Sequence, residues 1–203
     1  MLFPKLSITV SSISLLLNLT ALPLKVAAQD SPTGAWLEEE TNWNEAGAEI
    51  PQAPTYDDEN NLVNCEQSFR QATLPEDELV EAAGWTLTGS AQVFNGTTLI
   101  TGMGNADGMC RPLDYQIFVF SEGEFAGTLS PVLMDSRTDG SVFNVELYGD
   151  DTVSAHFNRY KPNDALCCAS GESRLFYNLD TEGEIPVLVP QLPTETYPSQ
   201  YAQ

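Results

Sequence analysis

The residues of this chain with chemistry to offer are one histidine, four cysteines and two aspartate-rich turns. His156 sits two residues after Ser154 and shortly after Asp150 and Asp151, so a Ser-His-Asp relay can be written on paper. The spacing argues against it. Ser154 and His156 alternate along one strand pattern, no G-x-S-x-G elbow is present, and nothing sets up an oxyanion hole. His156 reads better as a sheet-face residue with Asn158 beside it and Arg174 as its neighbour on the next strand. That gives a polar face able to take an anionic or sugar ligand, against the plainer reading of a solvated surface. Asn105-Ala106-Asp107-Gly108 and Asp135-Ser136-Arg137-Thr138-Asp139-Gly140 resemble pieces of calcium loops. Neither completes the D-x-[DN]-x-[DN]-G pattern with its distal Glu, and turns rich in Asp, Asn and Gly need no ion. No catalytic residue, metal site or cofactor is assigned.

Cys65, Cys110, Cys167 and Cys168 make an even count, which in an exported chain argues for two disulfides. Zinc would want spaced pairs such as C-x-x-C, which the adjacent Cys167 and Cys168 do not supply. Three pairings are open. Joining neighbours closes an eight-membered ring and gains little loop-closure entropy. The expectation is that Cys65 and Cys110 each take one of the pair, with Cys65–Cys168 and Cys110–Cys167 preferred.

Export itself is read from the start of the chain. Lys5 precedes an apolar stretch centred on Leu15, Leu16, Leu17 and Leu19, Pro23 breaks it, and Val26-Ala27-Ala28 puts small residues before Gln29. That is a secretory signal pattern with cleavage between Ala28 and Gln29. A retained anchor is the competing reading, but Ser11, Ser12, Ser14, Asn18 and Thr20 dilute the run and no basic stop-transfer cluster follows. The expected localisation is secreted or periplasmic, with no stable membrane anchor once the signal is removed.

Around these residues the chain divides into 1–28 (signal), 29–61 (acidic, Pro-containing linker), 62–189 (the folded domain) and 190–203 (Pro-rich tail). Residues 29–61 carry Glu38-Glu39-Glu40 and Asp57-Asp58-Glu59 with three prolines, and their apolar residues show no period. Trp36 and Trp43 are the exceptions, suited to docking on the domain or a partner. The 203 residues hold 29 acidic and 8 basic side chains, a formal charge of −21. That excludes nucleic acid, whose phosphates need clustered Lys and Arg.

Within 62–189, Thr73-Leu74-Pro75-Glu76 starts a short helix that ends at Gly84. A second short helix fits 66–71. Trp85–Phe94 and Thr97–Thr101 flank Asn95-Gly96, a tight-hairpin signal. Tyr115–Phe120 is apolar on both alternating sets, as for a strand buried on both faces. Phe125–Leu129, Ser141–Tyr148, Thr152–Tyr160, Ser173–Leu179 and Ile185–Val189 complete the strands. Phe143, Val145 and Leu147 are expected inward, as are Val153, Ala155 and Phe157. The fold class is α+β: mostly an antiparallel meander, with one or two short helices on one face and two disulfides.

The run Glu122-Gly123-Glu124-Phe125-Ala126-Gly127-Thr128-Leu129-Ser130-Pro131 resembles the G-E-Y-x-G-T-A-x-P stretch of the LppP/LprE family of actinobacterial lipoproteins. Asp151-Thr152-Val153, then Cys167-Cys168-Ala169-Ser170-Gly171 and Arg174–Tyr177, are similar to that family's D-x-V strand, C-x-x-G turn and V-R-Y strand. Asp114-Tyr115 after Cys110 matches its cysteine-containing first strand. The resemblance spans about residues 107–190. It implies an exported envelope domain and brings no catalytic residues. The family's lipid-bearing cysteine has no counterpart before Cys65, so lipid attachment is not carried over.

The functional expectation is an exported envelope binding or structural domain whose partner is an unidentified envelope ligand or protein. The alternatives are a secreted hydrolase with an acidic site and an acidic inhibitor or partner of a basic protein.

Overall fold

A computed structural model describes residues 34–56, 61–149 and 151–199. The Ala28–Gln29 cleavage site, Asp150 and residues 200–203 lie outside them. The expected antiparallel meander is present, divided into two sheets. Strands β1 (Thr86–Phe94), β2 (Thr97–Ala106), β3 (Pro112–Ser121) and β4 (Glu124–Thr128) form the first, in chain order. Strands β5 (Val142–Leu147), β6 (Thr152–Arg159), β7 (Gly171–Asp180) and β8 (Val187–Pro190) form the second, and β9 (Thr196–Pro198) also pairs with β7.

Local chemistry accounts for the hairpins. Asn95 and Gly96 both have positive φ (44° and 83°), which lets the chain reverse in two residues between β1 and β2. Glu122 and Gly123 do the same between β3 and β4. Helix α1 (Pro75–Ala82) begins at its proline, but its start is closed by Asp77 rather than by Thr73. The Asp77 carboxylate accepts the backbone N–H groups of Thr73 (2.9 Å) and Leu74 (3.0 Å), and both Arg70 Nη atoms (2.6 and 2.5 Å). The second helical segment reduces to a 3-10 turn over Glu66–Ser68.

Three layers stack. Val80 of α1 and Ala83, which caps it, press on Ile100, Phe118 and Phe120, one face of the first sheet. Its other face sends Leu99, Ile117 and Val119 against Val153, Ala155, Phe157, Leu175 and Tyr177 of the second sheet. β3 is therefore buried on both sides, as its unbroken apolar run requires.

Three expectations are corrected. Residues 34–56 are not a loose linker. Trp36 and Leu37 are buried in the core between the sheets, where Trp36 meets Trp43 and Phe157 edge-on at 5.0 and 5.1 Å. The segment is poor in apolar residues overall, but three large ones concentrated on a ready core suffice to order it. The tail is likewise engaged: β9 pairs with Gly171–Ser173, and Thr194 donates its N–H to Leu37 O (2.9 Å). The third correction is the disulfide pairing, which is Cys65–Cys110 and Cys167–Cys168. The 3-10 turns before and after Cys65 carry it to the turn at Asp107–Cys110, leaving a Cα–Cα distance of 5.3 Å that suits a bridge. Cys167 and Cys168 lie exposed in the loop between β6 and β7 and pair with each other.

Candidate functional site

The outer face of the second sheet gathers the side chains that sequence reasoning singled out, together with several that it missed. β6 turns Val153, Ala155 and Phe157 inward, so Ser154, His156 and Asn158 point out. Register places Asn144, His156 and Arg174 in one row across β5, β6 and β7, and Glu146, Ser154 and Phe176 in the next.

Phe143 was expected in the core. The β5–β6 register slips between Val142 and Asn144, and this bulge turns Phe143 outward, leaving it 41% exposed. Its ring meets His156 edge-on with centroids 5.6 Å apart.

Arg174 is held from several sides. Its Nε–H donates to Ser154 Oγ (3.0 Å) and its Nη2 to Tyr148 Oη (2.8 Å). Its Cζ lies 4.5 Å from the Phe176 ring centroid and 5.6 Å from that of Tyr148, within cation–π range. Tyr148 Oη donates in turn to Glu146 Oε2 (2.6 Å), and Asn144 Nδ2 donates to Glu146 Oε1 (3.1 Å). The hydrogen bonds from Tyr148 and Asn144 hold the Glu146 carboxyl below the usual carboxylate range, and the same bond to Glu146 raises the Tyr148 phenol. The result is a surface of three aromatic rings, one guanidinium and one carboxylate joined by these contacts.

His156 and Arg174 are thus brought together, and Asn158 is not part of the network. Its amide donates to Ser141 O and Oγ (3.3 and 3.0 Å), anchoring the start of β5. Ser154 Oγ accepts from Arg174 and lies on the same strand as His156, so no nucleophile–base pair forms between them. The calcium-like fragments are occupied by the protein itself. Asp107 accepts the N–H groups of Met109 and Arg111 (2.8 and 3.0 Å), and Asp139 accepts Gly34 N, Tyr160 N and Arg159 Nε. Among the described residues no group of three or more His, Cys, Asp or Glu side chains is placed to hold a metal ion.

Sequence reasoning missed Phe143, Tyr148, Phe176 and Glu146. Phe176 carried a signal, an aromatic on the outward set of an alternating strand. Phe143 carried none, because a bulge is a property of register rather than of alternation.

No helix among the described residues is long and apolar enough to cross a membrane. No curated protein and no solved structure matches the chain. One family does, and its match points to an envelope-associated domain covering every strand of the face just described. Residues 94–182, from the last residue of β1 to just beyond β7, match the model of the LppP/LprE lipoprotein family.

Proposed function

We propose that the chain is an exported recognition domain of the cell envelope, binding another envelope component through the outer face of β5–β7. One observation carries this reading: Arg174 clamped over Phe176 and Tyr148 beside the exposed Phe143. Exposed aromatics and arginine are the residue types that dominate interface energetics, and their prior immobilisation lowers the entropic cost of docking. A solvated sheet face with no partner would more economically carry Lys, Glu and Thr.

The test adds the purified chain from Gln29 onward to washed envelope membranes. Saturable binding that survives high salt and is lost in Arg174→Ala and Tyr148→Ala supports the proposal. Binding that both variants retain, or that collapses with salt, contradicts it; the second outcome favours association of the acidic surface with a basic partner.

A further inference from the structure

We infer that the seam between β1 and β5 is a binding site for a small uncharged polyhydroxylated ligand, of the size of one or two sugar rings. A cavity of about 350 Å³ opens there between the two sheets. That is within the range of small-molecule sites, about 300–1,000 Å³.

The opening is built by both of its edge strands. β1 loses register with β2 between Thr88 and Gln92, and Gly89 takes a positive φ of 64° with nothing within 4 Å of where a Cβ would stand. β5 loses register with β6 between Val142 and Asn144. Register shifts on two edge strands thus line one cavity, as irregularities beside binding sites do. Gln92 Nε2 then joins the sheets by donating to Val145 O (2.9 Å).

The lining specifies the ligand class. Leu99, Ile117, Val142 and Val145 supply an apolar floor. Ser90, Gln92, Thr101 and Asn144 supply hydroxyls and amides, and Phe143 adds a ring at the side. The Gln92 and Asn144 amides each donate elsewhere, to Val145 O and Glu146, which leaves their oxygens to accept from a ligand. Among the described residues no charged one lines the cavity, in a chain carrying 29 acidic side chains. An ion would enter without a counter-charge, and an anion would also meet the field of the whole molecule. A purely apolar chain would offer no hydrogen bond to the Ser90 and Thr101 hydroxyls or to the Gln92 and Asn144 amide oxygens. A sugar ring satisfies both halves, with its hydroxyls on the amides and its C–H face on the aliphatic floor. This inference does not require the β5–β7 face to bind anything, and it is tested through β1 and β2.

The experiment is an NMR titration of the chain with methyl glycosides of glucose, galactose and mannose, with glucuronate and decanol as probes of the other classes. Saturable shifts of Ser90, Gln92 and Thr101 with at least one neutral glycoside are expected, and none with glucuronate. Ser90→Ala should weaken that binding about threefold to tenfold, one hydrogen bond's worth. Thr101→Phe, which fills the cavity, should abolish it while the rest of the spectrum stays folded. The inference is overturned if no glycoside moves these resonances, if glucuronate or decanol moves them as strongly, or if Thr101→Phe folds and still binds.

Discussion

Asn44 and Thr128, 84 positions apart, exchange hydrogen bonds: Thr128 N–H donates to Asn44 Oδ1 (2.9 Å) and Asn44 Nδ2 donates to Thr128 O (3.2 Å). The same amide nitrogen also donates to Leu188 O (3.0 Å), so one side chain from the acidic leader ties the edge of the first sheet to the edge of the second. Trp43 reinforces it by donating from Nε1 to Thr128 O and Oγ1. The family match begins at residue 94, so this clasp is made by a part of the chain outside it. Asn44→Ala leaves buried backbone groups on both edge strands without partners. A loss of about 2–3 kcal/mol is expected, measured by urea denaturation against the unaltered chain.

Gly127 stands against that clasp. Its φ is 145°, and a Cβ there would come within 2.4 Å of the Asn44 side chain. Gly127→Ala should therefore expel Asn44 and lower stability at least as much as Asn44→Ala. Adding Gly127→Ala to Asn44→Ala should cost clearly less than adding it to the native chain, because the two act on one contact.

Two effects of opposite sign set the titration of Asp77. Burial pushes its carboxyl up, and the Arg70 guanidinium with the N–H groups of Thr73 and Leu74 outweighs it, holding the group below the usual carboxylate range. A depressed folded pKa contributes stability that is complete above the unfolded carboxylate pKa, near 3.9, and is lost as pH falls through the folded value. Acid unfolding below about pH 4 should thus be partly removed in Asp77→Asn. That variant pays at neutral pH instead, by roughly 3 kcal/mol, since Arg70 loses its partner. Thermal melts of both chains between acid and neutral pH check the crossover.

The disulfides should behave differently from each other. Cys65 is 1% exposed, whereas Cys167 and Cys168 both lie exposed in the loop between β6 and β7. Brief treatment with a dithiol followed by alkylation and peptide mass mapping should label Cys167 and Cys168 first. Removing Cys65–Cys110, which spans 45 positions, should cost about 4 kcal/mol in the chain-entropy treatment, and removing Cys167–Cys168 far less.

Elements governed by local chemistry were legible in the sequence. Asn95-Gly96 announced its hairpin, Pro75 its helix, and the double-sided apolar run of Tyr115–Phe120 its central strand. What escaped depends on partners distant in sequence. Trp36 and Trp43 look like isolated aromatics in an acidic stretch until Phe157 and Tyr177 are set beside them. The cysteine pairing turned on where the turns around Cys65 and Cys110 meet, which no spacing reports. In the candidate site, the row of His156 and Arg174 followed from strand alternation. The outward turn of Phe143 did not, since it arises from one extra residue in the β5 ladder.

The most direct measurement of the recognition account is site-specific photo-crosslinking in intact cells that make the protein. A photoreactive phenylalanine analogue replaces Phe143 on the proposed face or, as the control, Leu79, which is exposed on α1 in the opposite outer layer. A discrete crosslinked species from position 143 that disappears with Arg174→Ala, and none from position 79, is the predicted result. Absence of any crosslink at 143, or equal crosslinking from both positions, contradicts the account.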